Sequence, residues 1–126
     1  MHANGIGVGS FVYLRRIFEA LIFEAGEKLI TQGAITKEDF YTKRMDEKIE
    51  VAKSELPDFL VKNKSIYGIL SKGVHELLEE ECLKYFEVIK NGIELILDDK
   101  IEKEEKENRR KTLSASIASI AGEIKN

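Results

Sequence analysis

The sequence predicts an all-α protein, an up-and-down bundle of four or five helices with a long projecting fourth helix. Apolar residues recur at spacings of three and four along most of the chain, which is the pattern of amphipathic helices. The alternation of apolar and polar residues that predicts strands does not persist. The helical pattern that begins at Glu79 continues for longer than a domain of this size is wide, so this helix is expected to project.

The composition limits the classes of function. The chain has 126 residues, of which 43% are apolar and 34% charged, enough for one domain with one core. The net charge of −3 excludes a generally basic coat for nucleic acid. A single cysteine, Cys82, excludes an internal disulfide framework and a multi-cysteine zinc site. With no membrane-spanning apolar run and no signal peptide, we expect a cytoplasmic protein without a cofactor.

The first helix is predicted to run from Ser10, as its N-cap, to about Thr31, with Gly33 beyond its end. Residues 1–9 are predicted to be a flexible lead-in. The main apolar face of this helix contains Leu14, Ile17, Phe18, Leu21, Ala25 and Leu29. A second face contains Val12, Arg16, Glu19 and Phe23. A helix that is apolar on two sides is expected to be central or covered by a partner.

Two shorter helices are predicted to follow. Thr36 resembles the first residue of a capping box and opens a helix over about 37–54, which Pro57 ends. A short helix over 65–72 is then halted by Gly73.

The fourth helix begins at about Glu79. Its buried stripe is predicted to contain Cys82, Leu83, Phe86, Ile89, Ile93, Ile96 and Leu97. Residues 98–111 contain six acidic and six basic residues, and several acids stand four residues before a base, which favours continued helix. A small amphipathic helix at the end of the chain, over 112–126, presents a stripe of Leu113, Ile117, Ile120 and Ile124.

The length of this helix predicts an assembly. A helix over 79–111 is roughly 50 Å long, whereas a compact domain of this size is roughly 35 Å across. Its overhanging apolar end needs a cover, which a fold-back at about 108–112, a second copy of the chain or an absent part of a longer protein would supply. We expect a homodimer, because closed two-fold dimers are the commonest oligomers.

One polar cluster is a candidate site. Arg16 and Glu19 lie one turn apart within an apolar stripe, where unpaired charges are costly, so they are expected to pair with each other. His75, in the break between two helices, is the candidate third member. The cluster is either structural or catalytic, and the residues do not decide between these readings. Arg15 can instead pair with Glu19 at the surface.

The sequence offers few other candidate sites. Arg15, Lys64 and Lys72 are the candidate contacts for a nucleic acid. No metal site is predicted, since the acids near His75 are expected to face outward. Negative charge near Cys82 should raise the pKa of its thiol and make a reactive thiolate unfavourable.

Three segments stand out together: Tyr13-Leu-Arg-Arg-Ile-Phe-Glu19, Ile69-Leu-Ser-Lys-Gly-Val-His-Glu76 and the long helix after Glu79. Together they resemble the HEPN-like all-α domains, in particular a bacterial subset found as C-terminal modules of defence-type proteins. The resemblance covers about 10–97 and implies a helical bundle that commonly dimerises. Residues 98–126 lie beyond it and are predicted to be a charged helical extension with an amphipathic C-terminal helix. In active members it implies metal-independent RNA cleavage by an Arg and a His a few residues apart. Here Leu70, Ile69 and Gly68 stand where that Arg would be.

The sequence therefore predicts a non-catalytic interaction and dimerisation module, the C-terminal part of a larger bacterial protein whose other domains are absent here. The first alternative is a ribonuclease of HEPN type, with His75 as general acid or base, Arg16 on the phosphate and Glu19 orienting Arg16. The second is a domain that binds a nucleic acid or a nucleotide without catalysing a reaction.

Overall fold

A computed structural model describes residues 6–125, apart from the side chains of residues 6–8, 74 and 75. This part of the chain contains no strand, and the all-α fold class with a long projecting helix is confirmed. The elements are α1 (Ile6–Thr31), α2 (Lys37–Tyr41), α3 (Met45–Val51), a 3-10 turn (Lys53–Glu55), α4 (Asp58–Lys62), α5 (Ser65–His75) and α6 (Glu79–Lys125).

Helix α1 is the centre of the bundle. It packs against both α5 and α6, and its Phe11, Phe18 and Ile22 are fully buried. Gly73 of α5 lies against Phe11, and Tyr67 stacks on Phe18, so α5 runs antiparallel to α1. Helix α6 runs parallel to α1, because its early residues line a groove with the start of α1 and Lys100 pairs with Glu24.

Both ends of α1 can be compared with the prediction. Ser10 is not the N-cap, because α1 already includes residues 6–9, and residues 1–5 of the expected lead-in lie outside the described part. The C-terminal end is as expected. Gly33 has a φ of +77° and donates to the carbonyl of Ile30, while Ala34 donates to that of Leu29. These two bonds form a Schellman cap, which needs a left-handed residue that glycine supplies best.

The single helix expected over 37–54 is divided into α2, α3 and the 3-10 turn. Thr36 caps α2 as predicted, its hydroxyl accepting a hydrogen bond from the backbone N–H of Asp39 at 3.1 Å. Lys48 stabilises the break, because it is buried and donates to the backbone carbonyls of Tyr41, the last residue of α2, and of Lys43, just beyond it. These carbonyls would otherwise lack partners at the helix end.

Two predictions about the later helices are wrong in detail. Gly73 does not end α5, which continues to His75. The buried stripe of α6 includes Cys82, Ile89, Ile93 and Ile96, but Leu83 is exposed. Leu83 is the residue of the predicted stripe that turns to the outer flank of the helix.

Helix α6 is one continuous helix of 47 residues, about 70 Å long. The expected separate helix over 112–126 is its last part, and no fold-back occurs near 108–112. The helix therefore projects further than the sequence predicts. Asn126 lies outside the described residues.

Candidate interaction surface

The last 25 residues of α6, Ile101–Lys125, are all exposed, and we call them the arm. Two lysines fix the direction in which the arm leaves the bundle. Lys100 pairs with Glu24 of α1 at 3.0 Å and with Glu104 at 2.9 Å. Lys103 donates to the backbone carbonyl of Ser54, within the 3-10 turn, at 3.0 Å. Beyond these contacts the arm projects away from the apolar core.

The charges at the base of the arm reinforce each other. The pKa of Lys100 is raised, chiefly by its hydrogen bond to Glu104 and then by that to Glu24. The pKa of Glu104 is lowered, chiefly by the same hydrogen bond to Lys100. Both shifts favour the charged forms, so this contact is present at neutral pH.

The arm exposes the apolar stripe that the sequence predicts. Leu113, Ile117, Ile120 and Ile124 are between 55% and 80% exposed. At 100° per residue they lie on one face of α6, about 130° around the helix from the stripe that packs on the core. The stripe is therefore not an extension of the buried face, and the bundle below it does not cover it.

Two further apolar residues lie on the same face of α6, within the bundle. Val88 and Leu95 are 72% and 42% exposed and stand one heptad apart. The apolar pattern of the sequence does not single them out, because a buried stripe runs along the other side of the same segment. At 100° per residue their angular separation from Ile89 and Ile93 shows that they are not part of the core.

The polar cluster forms with a different arginine from the one expected. Arg15 Nε lies 3.6 Å from Glu19 Oε2, and both side chains are partly buried, at 30% and 24% exposure. Tyr67 of α5 donates its hydroxyl hydrogen to Glu19 at 3.1 Å. Arg16 is exposed, so the expected buried Arg16–Glu19 pair is wrong. The position of α5 explains this, because Tyr67 contacts Glu19 from the side of α1 on which Arg15 lies.

His75 is the last residue of α5, and its side chain lies outside the described residues. The backbone register still gives its position along the bundle. Since Gly73 lies against Phe11 and Tyr67 against Glu19, the end of α5 is about two turns, or roughly 12 Å, from the level of Glu19. Glu19, Arg15 and Tyr67 tie α1 to α5, and a cluster with His75 stays a prediction.

The other candidate residues do not share one patch. Lys64 lines a groove with Met45 and Tyr67, whereas Lys72 lines a separate apolar groove with Tyr85 and Val88. Arg15 is engaged by Glu19. Lys64 and Lys72, proposed to contact nucleic acid, thus line different grooves, and Arg15 lines neither of them.

Cys82 is buried, and its thiol donates to the carbonyl oxygen of Gly73 at 3.4 Å. Burial, and then the charges of Glu79 and Glu81, raises the pKa of the thiol, as the sequence predicts. Among the residues that the structure describes, no three His, Cys, Asp or Glu side chains converge as metal ligands would.

Comparison of the chain with models of protein families, with curated proteins and with solved structures gives no match. None of the helices within the described range is both long and apolar enough to cross a membrane.

Proposed function

We propose that this chain is a non-catalytic self-association module in which α6 joins two copies into a homodimer. The observation that supports it best is the arm, on which four large aliphatic side chains lie more than half exposed along one face. Covering such a side chain contributes about 1.5–3 kcal/mol. A contiguous apolar stripe of this kind marks an interaction surface.

The anchored base of the arm supports a defined partner geometry. Lys100 and Lys103 hold the first turn of the arm against α1 and the 3-10 turn, so the stripe is presented in a fixed direction. A pre-oriented surface loses less conformational entropy on binding than a flexible one. The resemblance to HEPN-like domains agrees with this proposal, because those domains commonly dimerise. A cytoplasmic location is part of the proposal, since one buried cysteine suits a reducing compartment.

Sedimentation equilibrium tests the proposal. We expect the native chain to be a dimer, and the double variant Ile117→Asp/Ile120→Asp to be a folded monomer by circular dichroism and sedimentation. Ala115→Asp/Ser119→Asp is the matched control, because it adds the same charges to the opposite face of the same two turns. A native chain that is monomeric at all concentrations would contradict the proposal. Equal dissociation by both double variants would show that the charge, not the stripe, matters.

A further inference from the structure

We infer that the two copies pair through their α6 helices in antiparallel orientation, about a two-fold axis at Lys106. In this arrangement the stripe of each arm covers Val88, Gly92 and Leu95 of the other copy. The inference rests on the proposed self-association and specifies its geometry and the surface on each copy that receives the arm.

The spacing of residues on the outer face of α6 carries the inference. Counted from Lys106, the stripe residues Leu113, Ile117, Ile120 and Ile124 stand at +7, +11, +14 and +18. Counted backwards from Lys106, Asp99, Leu95, Gly92 and Val88 stand at −7, −11, −14 and −18. The two sets of offsets are identical, so an antiparallel pair centred on Lys106 places Ile117 opposite Leu95 and Ile124 opposite Val88.

The seam formed by these residues fits a straight helix. With Glu102 and Arg110 included, the seam from Val88 to Ile124 advances 36 residues in ten steps of three or four, a mean of 3.6 residues per turn. This is the period of an undistorted α-helix, so the seam stays on one side of α6 over its whole length. The continuous α6 of the structure is the scaffold that this seam requires.

The receiving surface is exposed on the bundle. Val88 and Leu95 remain exposed after α6 has packed on α1 and α5. A Cβ added to Gly92 would lie 3.5 Å from Ile66 Cδ1, so Gly92 lies at the edge of this face beside α5. An apolar groove of about 370 Å³, lined by Ile69, Leu77, Tyr85, Val88 and others, adjoins the place where Ile124 of the other copy would lie.

The charges of α6 favour the antiparallel orientation over a parallel one. Residues 98–107 contain six acids and three lysines, whereas residues 109–111 are all basic. The antiparallel register places Glu102 opposite Arg110, with Asp99 one turn away. A parallel pair would instead place residues 98–107 of one copy beside residues 98–107 of the other, so acids would face acids. Lys106 faces its symmetry mate on the axis, with Glu102 one turn away on its own helix.

The four stripe residues are also symmetric about a point between residues 118 and 119. The main alternative is therefore a shorter antiparallel pairing of the two arms alone, centred on that point. That pairing spans 12 residues and leaves Val88 and Leu95 uncovered, whereas the register at Lys106 spans 37 residues and covers both. We choose the longer register because it uses the exposed residues of the bundle as well as those of the arm.

Thiol cross-linking of the full chain with a short bis-maleimide tests the register. The native chain, whose Cys82 is buried, is the blank. We expect Lys106→Cys to cross-link to itself, and a mixture of Leu95→Cys with Ile117→Cys to cross-link as a mixed pair. Self-cross-linking of Ile117→Cys would indicate a parallel pair or the shorter pairing, because both bring the two copies of residue 117 within about one turn of each other. Cross-linking of Ile117→Cys to Ile120→Cys, without the first two products, would indicate the shorter pairing. Either result overturns the register.

A surface variant tests the receiving face. We expect Val88→Asp to weaken dimerisation at least tenfold with no change in fold, although Val88 lies far from the arm of its own copy. Leu83→Asp is the control, because Leu83 is exposed on the other flank of α6. An unchanged dimer in Val88→Asp overturns the inference and leaves the proposed function standing. A native chain that does not dimerise overturns both.

Discussion

Gly73 and Phe11 meet so closely that a Cβ on Gly73 would lie 1.9 Å from Cδ2 of the Phe11 ring. Real Cβ atoms do not come so close to another carbon, and the ring that would have to shift belongs to the fully buried Phe11. The absence of a side chain on α5 at this point therefore sets the distance between α5 and α1. Gly26 has the same relationship to Phe40, whose ring a Cβ would meet at 2.2 Å.

Gly73→Ala is expected to destabilise the fold by about 1–3 kcal/mol, the usual cost of overpacking. This loss occurs although alanine is the better helix former by about 1 kcal/mol. Gly68→Ala is the matched control in the same helix, because nothing lies within 4 Å of its added Cβ. That variant should be neutral or more stable by up to about 1 kcal/mol. Urea denaturation measures both, and a stabilised Gly73→Ala would show that the two helices can separate without cost.

Lys48→Met is expected to destabilise the fold by about 1–3 kcal/mol. Methionine fills the same buried space, but the carbonyls of Tyr41 and Lys43 lose the donor that they share. Lys53→Met is the control, because Lys53 is exposed and its pair with Glu50 is a surface ion pair of small value. Thermal denaturation of both variants gives the comparison. Equal melting temperatures would mean that water replaces the ammonium group of Lys48.

Periodicity predicts the fold class and the central helix α1, since burial of one face follows from spacing alone. It does not predict Gly73 correctly, because glycine has two physical uses in a helix. It can end the helix, as Gly33 does just beyond α1, or it can allow another helix to come close, as at Phe11. Only the position of the neighbouring helix distinguishes these uses.

The candidate cluster shows a similar limit. Arg16 stands three residues before Glu19 and Arg15 stands four residues before it, so either arginine can reach the carboxylate. The position of α5 decides between them, because Tyr67 contacts Glu19 from the side on which Arg15 lies. A long-range contact of this kind, between residues 48 positions apart, leaves no local pattern in the sequence.

Tyr67 should make the fold sensitive to alkaline pH. Burial raises the pKa of Tyr67, and its hydrogen bond to Glu19 and the charge of Glu19 raise it further. The folded pKa lies above the unfolded value, so the stabilisation is fully present below about pH 10 and is lost as the pH rises through the folded pKa.

The matched comparison is Tyr67→Phe with Tyr13→Phe, whose ring is exposed. At neutral pH Tyr67→Phe should lose about 1 kcal/mol with its hydrogen bond. Its free energy of unfolding should then fall less steeply above pH 10 than that of the native chain. Chemical denaturation across this pH range measures the slopes. Parallel curves for the native chain and Tyr67→Phe would contradict a raised pKa.

RNA cleavage is the measurement that separates the proposed module from the ribonuclease alternative. We expect no cleavage of a mixed RNA pool in EDTA by the native chain, and no difference in His75→Ala. The physical reason is that an acid–base histidine needs a nearby cation to stabilise the phosphate. Glu19 engages Arg15 and so does not orient Arg16, and the end of α5 lies about two turns from the level of Glu19. Cleavage that His75→Ala abolishes and Ser71→Ala retains would make the chain an enzyme and would require another source for that cation.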